Sequence, residues 1–213
     1  MGRKINILIS SVGGQGGLSL SRMIAEASRL AGYSIATGET LGMAQRFGSV
    51  KSFVRVGIGE KVYSPIFHKN EANYMLCLEI IECARNLEYL DTLLGWIILS
   101  YDFRPPVSAS LLPSKEKIDS SLLLRRILSY SGERAVLIDP KEVREISGSS
   151  RAINASILGA FVEISKIFDD SHAMTAIELV LRNQKAVESS RKAYIFGKSL
   201  KGIGDAYSPR RLI

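Results

Sequence analysis

A glycine-rich loop between a short apolar run and a helical pattern is the feature that most constrains the fold. The apolar run covers residues 5–9, and the loop, VGGQGG, covers residues 12–17. Residues 18–31 then carry apolar side chains at helical spacing, and Gly32 is a typical helix stop. Because residues 33–37 read as a second strand, the start of the chain predicts a right-handed βαβ unit and therefore an α/β fold.

The rest of the chain continues to alternate between strand and helix patterns. Residues 50–56 and 60–63 flank Gly57-Ile58-Gly59, which predicts a β-hairpin and hence a mixed sheet. Further strands are predicted over residues 73–78, 96–99 and 135–138. Helices are predicted over residues 80–90, 120–129, 139–146, 152–168, 175–182 and 187–200.

These patterns predict a three-layer, Rossmann-like α/β fold. Its sheet should be mixed but mostly parallel, with a β-hairpin and C-terminal helices. Residues 1–165 would form the Rossmann-like domain, and residues 166–213 would form a helical segment and a basic tail packed on the same domain.

The charge and hydropathy of the chain exclude nucleic-acid and membrane functions. Most of the formal net charge of +7 lies in residues 191–213, which hold six basic residues and one acid. No nucleic-acid-binding motif accompanies this basic tail. No apolar run reaches the ~18 residues that a membrane span needs. The N-terminus leads directly into a strand pattern, so a cytoplasmic protein is expected.

The few cysteine and histidine residues argue against a metal or cluster site. Cys77 and Cys83 fit no CxxC motif, and we expect them to be buried thiols in a reducing compartment. The only histidines, His68 and His172, are far apart in the sequence. A structural zinc site or a cysteine-ligated iron–sulfur cluster on this chain is therefore not expected.

The glycine loop predicts a site for a phosphate or another anion. Glycines let the backbone approach a ligand closely, and the start of the following helix offers free N–H groups and a partial positive charge. We therefore predict that the anion- or coenzyme-facing turn consists of Gly13, Gly14, Gln15 and Gly16.

Two other interpretations of the loop stay open. In the dinucleotide fingerprint G-x-G-x-x-G, Ser11 would stand in place of the first glycine. Glu39 follows the second strand about where a ribose-binding acid belongs, so the chain could be a stand-alone dinucleotide-binding enzyme. Alternatively, the loop is only a tight turn that lets strand and helix pack closely.

The segment over residues 41–54, LGMAQRFGSVKSFV, is the second candidate for a functional role. Gln45 and Arg46 offer polar contacts, and Met43 and Phe47 offer apolar ones. Ser49 adds a hydroxyl group, and Arg46 could hold a carboxylate or a phosphate with two hydrogen bonds. The alternative is an ordinary surface arginine after a bend.

Together, the two segments resemble the gamma-type domain of the 2-oxoacid:ferredoxin oxidoreductases, and within that family the small (beta) subunits of the indolepyruvate type. The family patterns are G-V-G-G-Q-G and S-E-T-x-G-M-A-Q-R-G-G-S-V, and residues 11–16 and 38–50 match them. The similarity continues to NASILGA at residues 154–160 and covers most of the chain to about residue 165. Two departures from the pattern stand out, since Ser11 and Phe47 each replace a glycine.

The resemblance implies a subunit of an enzyme that converts a 2-oxoacid and coenzyme A into acyl-CoA, carbon dioxide and reduced ferredoxin. Thiamine diphosphate, magnesium and [4Fe–4S] clusters would lie on a large alpha subunit. This chain lacks cysteines for a cluster and lacks the Gly-Asp-Gly…Asn segment of a thiamine site. Residues 1–165 would then be the gamma-type domain, without a cofactor of its own.

The resemblance also implies which residues face the partner and the substrate. The wall of the partner's active site and of the coenzyme A channel would include Glu39, Met43, Gln45, Arg46 and Ser49. No catalytic residue and no metal ligand is expected, because no nucleophile–base pair is visible. Expected partners are the alpha subunit, ferredoxin, the 2-oxoacid and coenzyme A. An isolated chain would expose its partner surface and could form a homodimer.

Overall fold

The computed structural model describes residues 2–42, 48–105 and 118–202. Its strands are β1 (Arg3–Val12), β2 (Ser34–Leu41), β3 (Ser49–Ile58), β4 (Tyr74–Cys77), β5 (Trp96–Ser100) and β6 (Ala135–Ile138). Its helices are α1 (Gly17–Leu30), α2 (Ile80–Arg85), α3 (Ser120–Ser131), α4 (Pro140–Ser147), α5 (Ile153–Ser165), α6 (Asp170–Leu181) and α7 (Gln184–Ser199). Short 3₁₀ turns lie at Leu87–Tyr89 and Ser150–Ala152. None of the helices in these ranges is long and apolar enough to cross a lipid bilayer.

The six strands form one mixed sheet in the order β2-β3-β1-β4-β5-β6. The pairs β1–β4, β4–β5 and β5–β6 are parallel, whereas β3 runs antiparallel to both of its neighbours. The predicted α/β fold with a mixed, mostly parallel sheet is therefore confirmed. The carboxyl ends of β1, β4, β5 and β6 meet at one edge, which is where α/β proteins bind ligands.

The predicted position of the β-hairpin is wrong. Residues 60–63 form no strand, and β3 instead pairs along its whole length with β1, from Ile58 opposite Arg3 to Ser49 opposite Val12. The hairpin consists of β2 and β3, whose pairing starts with Leu41 opposite Val50. The other side of β3 is occupied by β1, so no edge remains on this strand for residues 60–63. For the same reason β2 is not adjacent to β1, as a simple βαβ unit would require.

Two apolar clusters cover the two faces of the sheet and make the fold three-layered. Alternation along β1 places Ile7 and Ile9 in one cluster and Leu8 in the other. The larger cluster packs the sheet against α1, α4, α5, α6 and α7, and the smaller one packs it against α2 and α3. Helix α5 is buried along most of its length and therefore lies at the centre of the larger cluster.

The two cysteines are paired, contrary to the expectation of free thiols. Cys77 ends β4, and Cys83 lies in α2, which starts only three residues later at Ile80. This sharp return of the chain brings their Cα atoms to 5.3 Å, and a disulfide joins the two buried side chains. Sequence spacing alone does not reveal this, because the contact depends on where α2 begins.

Candidate functional site

The glycine loop is a tight turn that joins the end of β1 to the start of α1. Gly14 and Gly16 have φ angles of 93° and 87°, in the left-handed region that favours glycine. Asn154, near the start of α5, donates its side-chain amide to the carbonyls of Gln15 and Gly16 at 3.3 and 3.2 Å. A β-carbon on Gly16 would lie 2.4 Å from that amide nitrogen. Only glycine therefore fits at position 16 while Asn154 holds the turn.

The first turn of α1 presents its backbone amides without a capping side chain. Its N-cap residue is Gly16, and the turn contains no acidic residue. These amides border a cavity of about 450 Å³. The cavity is lined by Ser11, Val12, Gly13, Gly14, Gly16, Gly17, Leu18, Ser19, Gly42 and Val50. Because an uncapped helix start carries a partial positive charge, this cavity suits a phosphate or another anion.

Ser11, which departs from the family pattern, fits the turn without disturbing it. Its side chain is buried, and a β-carbon on Gly17 would lie 2.4 Å from its Oγ. Ser11 thus fits here because Gly17 has no side chain to compete for the same space. The close packing of strand and helix at this point is therefore preserved.

Gln15 supports the turn from within the protein. Its Oε1 accepts a hydrogen bond from the Val12 N–H at 2.8 Å, and its Nε2 lies 3.4 Å from Asp102 Oδ2. The same oxygen of Asp102 accepts from Arg104 Nε at 2.7 Å. Asp102 belongs to no recognisable motif, although it follows a predicted buried strand. The side chain of Gln15 therefore positions the loop and links it to the end of β5.

Within the second candidate segment, Gly42 and Gly48 lie at the glycine turn. The Gly13 N–H donates to the Gly48 carbonyl at 2.8 Å, and the Gly42 N–H donates to the Ser49 carbonyl at 3.2 Å. Met43, Gln45 and Arg46, together with Phe47, lie outside the described residues. Their predicted contact with substrate or partner thus stays a prediction, supported by the positions of Gly42 and Gly48.

Two buried carboxylates connect this segment to β5. Ser49 Oγ donates to Glu82 Oε2 at 2.5 Å, and Glu82 is only 3% exposed. Glu79 is completely buried, and its two oxygens accept from the N–H groups of Glu82 and Arg104 at 2.8 and 3.2 Å. Neither acid belongs to a motif that the sequence reveals. The available signal was the position of Glu79 just before a helical pattern, where a capping residue belongs.

Burial raises the pKa of the Glu79 carboxyl, and the nearby Glu82 acts in the same direction, while the backbone N–H donors oppose the shift. A carboxyl whose pKa is raised in the folded state binds a proton more tightly there than in the unfolded chain. The free energy of unfolding should therefore fall as pH rises from the unfolded pKa of about 4.3 through the folded pKa. In Glu79→Gln, this part of the pH dependence should disappear.

Urea unfolding at a series of pH values between about 4.5 and 7 measures this contribution. Glu79→Gln should show a flatter curve than the wild type, whatever its absolute stability, since glutamine cannot accept both backbone hydrogen bonds. The exposed Glu188 on α7 provides the control, and Glu188→Gln should follow the wild-type curve. Parallel curves for the wild type and Glu79→Gln would show that Glu79 does not titrate in this range.

Glu39 lies away from the glycine turn. It is exposed on β2 and is opposite Ser52 of β3. Since β3 lies between β1 and β2, Glu39 is two strands from β1, roughly 10 Å at the usual strand spacing. It does not line the cavity at the turn. This position disfavours a ribose contact, because a dinucleotide site needs its acid on the strand next to the turn. A contact between Glu39 and a partner stays a prediction.

Within the described ranges, no three or more histidine, cysteine or acidic residues are grouped so that they could hold a metal ion. The glycine turn, residues 42, 48 and 49 and the Glu79–Glu82 pair nevertheless lie in one region. This arrangement can bind and orient an anionic ligand. It does not by itself provide a nucleophile with an adjacent base.

Comparison with known proteins supports the resemblance. The model of the pyruvate ferredoxin/flavodoxin oxidoreductase family matches residues 6–198. Indolepyruvate oxidoreductase subunit IorB of Archaeoglobus fulgidus is 32% identical over 196 residues, which cover 91% of this chain and 94% of that subunit.

Two solved structures share the fold. The PORC subunit of pyruvate oxidoreductase from Thermotoga maritima superimposes with a TM-score of 0.66 at 16% identity and covers 94% of this chain and 98% of that one. The 2-oxoglutarate:ferredoxin oxidoreductase from Magnetococcus marinus gives a TM-score of 0.67 at 17% identity. There, 97% of this chain corresponds to 32% of a longer chain, so the same fold occurs as one part of a larger polypeptide.

Proposed function

Because the chain belongs to the pyruvate ferredoxin/flavodoxin oxidoreductase family, we propose that it completes the active site and the coenzyme A channel of a larger partner subunit. Its similarity to a subunit of indolepyruvate oxidoreductase extends over almost the full length of both chains. It is accordingly a small subunit of a 2-oxoacid:ferredoxin oxidoreductase, with indolepyruvate as the proposed 2-oxoacid.

The partner would hold the groups that perform the chemistry. Thiamine diphosphate with magnesium would supply the decarboxylation of the 2-oxoacid, and [4Fe–4S] clusters would pass the electrons to ferredoxin. This chain would contribute binding and orientation. Gly14 and Gly16 would bring backbone N–H groups close to the coenzyme. Gly13, whose N–H donates to the Gly48 carbonyl, would line the turn, and Gln15 would hold it in place.

The uncapped start of α1 at the glycine turn is the observation that carries this proposal. Coenzyme A contains a pyrophosphate, which such a helix start can bind through backbone amides. The structurally similar Magnetococcus marinus enzyme was solved with coenzyme A bound. Residues 42 and 48 adjoin the same turn, so Met43, Gln45 and Arg46 are proposed to line the channel beside it, with Ser49 at its base.

Reconstitution with a large thiamine- and cluster-bearing subunit tests the proposal. We expect 2-oxoacid-dependent viologen reduction that requires both subunits and coenzyme A, with indolepyruvate among the best substrates. The isolated chain should bind neither NAD(H) nor FAD in equilibrium dialysis. A chain that bound NAD(H) stoichiometrically on its own, and that formed no active complex, would instead be a stand-alone dinucleotide-binding enzyme.

A further inference from the structure

A second cavity, of about 280 Å³, lies at the carboxyl ends of the parallel strands. It shares Gly14 with the cavity at the start of α1 but extends toward α4 and the start of α5. We call it the strand-end cavity. Its polar lining residues are Gln15, Ser100, Asp102, Arg104, Lys141, Arg144, Ser150 and Arg151.

The strand-end cavity is strongly basic. Four basic side chains line it, against a single carboxylate from Asp102. Arg104 pairs with that carboxylate at 2.7 Å. Within residues 2–42, 48–105 and 118–202, the side chains of Lys141, Arg144 and Arg151 form no ion pair. Such an excess of unpaired positive charge in a concave site favours a ligand with more than one negative charge.

A buried hydroxyl group at this cavity also points to a ligand. Ser100 ends β5, is fully buried and lines the cavity, yet its Oγ has no hydrogen-bond partner. Leaving a buried polar group without a hydrogen bond is energetically unfavourable. A bound oxyanion would accept the hydrogen bond that the protein itself does not.

The start of α4 does not account for the site. Its N-cap residue, Asp139, accepts a hydrogen bond from the Lys141 N–H at 2.7 Å, and Pro140 has no N–H to offer. The excess positive charge therefore comes from Lys141, Arg144 and Arg151, and Ser100 adds a hydroxyl donor.

We propose that the strand-end cavity binds a phosphate group, with guanidinium groups of Arg144 and Arg151 on its oxygens and Ser100 donating from the base. Arginine suits this ligand because its fork of N–H donors matches two phosphate oxygens. The two cavities share Gly14, so the phosphate could belong to a coenzyme A molecule bound in the neighbouring α1 cavity. The other source is a separate phosphate-bearing molecule. The site itself does not depend on the proposed coenzyme A channel.

Ser100 distinguishes this cavity from the adjacent surface. Arg144 and Arg151 also line an open groove of about 870 Å³ beside α7, which Ser100 does not reach. An anion held in that groove would depend on the arginines but not on the serine. Ser100→Ala removes only a hydroxyl without a partner, so this variant should fold at least as stably as the wild type.

Calorimetric titration of inorganic phosphate into the full-length chain at low ionic strength tests the proposal. We expect saturable binding to the wild type, weakened about tenfold or more by Arg144→Ala and by Ser100→Ala, since hydrogen bonds to charged groups contribute about 1.5–3 kcal/mol. Lys192 is exposed on α7 and lines none of these cavities, so Lys192→Ala is the charge-matched control. It should change the affinity by less than about twofold.

Competition identifies the source of the phosphate. If coenzyme A displaces inorganic phosphate and dephospho-coenzyme A does not, the site takes the 3′-phosphate of the coenzyme. If neither competes while phosphate still binds, it takes a separate phosphate-bearing molecule. The absence of saturable phosphate binding would overturn the proposal. Binding that Arg144→Ala weakens and Ser100→Ala leaves unchanged would also overturn it, by placing the anion in the outer groove.

Discussion

Replacing Gly197 with alanine is expected to lower the free energy of unfolding by roughly 3 kcal/mol, the typical upper range for inserting atoms into a packed contact. Gly197 lies in α7 where this helix crosses α5. A β-carbon there would lie within bonding distance of the Ser156 carbonyl oxygen in α5. Because that atom belongs to the backbone, rotation of a side chain cannot relieve the overlap, and the two helices must move apart.

Helix propensity acts in the opposite direction but is too small to compensate. Alanine favours a helix over glycine by about 1 kcal/mol. Separation of the helices would loosen α5, which is buried along most of its length and carries Phe161 in the middle of the larger apolar cluster. For a chain of this size we expect the thermal midpoint to fall by roughly 6–12 °C.

Thermal unfolding monitored by circular dichroism checks this expectation. Gly159→Ala should behave similarly, since its β-carbon would meet the Tyr194 carbonyl from the other side of the same crossing. Glu188→Ala, on an exposed position of α7, is the control and should change the midpoint by less than about 2 °C. An unchanged midpoint for Gly197→Ala would mean that α5 and α7 are not in backbone contact.

The sequence predicted the elements of this fold better than their arrangement. The glycine turn and α1 were predictable because a strand run, a glycine loop and an apolar helical stripe are local patterns. The position of β3 between β1 and β2 was not. Both faces of β3 carry buried residues, but this pattern does not show which strands pair with it. The hairpin was therefore assigned to the glycine-rich turn after β3 instead of to the segment before it.

The candidate site likewise has a part that the sequence predicts and a part that it does not. Its glycines were recognisable because their conformational role is local, whereas the side chains that hold them come from distant parts of the chain. Asn154 contacts a turn 138 residues away from it in the sequence, and Asp102 meets Gln15 across 87 residues. Such contacts follow from the order of the strands and from the packing of α5, so no local pattern predicts them.

If the reaction takes place on a partner subunit, as proposed, the glycine turn is the part of this chain that could influence it. The glycine turn separates two basic or amide-lined cavities, and Gly14 borders both. Asn154 fixes this turn to the start of α5, which is the central helix of the larger apolar cluster. A change in the turn should therefore alter anion binding on both sides while leaving the sheet intact.

Gly16→Ala is expected to reduce kcat/KM for coenzyme A in the reconstituted complex by at least about 100-fold, equivalent to about 2.7 kcal/mol. Alanine at a φ of 87° is strained, and its β-carbon would displace the Asn154 amide from its two carbonyl partners. The first turn of α1 would then lose the position from which its amides can reach a pyrophosphate. The KM for the 2-oxoacid should stay nearly constant, because its pocket is proposed to lie on the partner.

Gly14→Ala separates backbone strain from steric displacement. Gly14 has a similar φ of 93°, but a β-carbon there would meet no atom within 4 Å. Strain of about 1 kcal/mol corresponds to a loss of roughly fivefold, so this variant should retain much of the activity that Gly16→Ala loses. Steady-state kinetics with coenzyme A and the 2-oxoacid varied in turn would resolve the two cases.

Equal losses in both variants would mean that Asn154 does not position the turn. A larger effect of Gly16→Ala on the 2-oxoacid KM than on coenzyme A would place the turn in the substrate pocket.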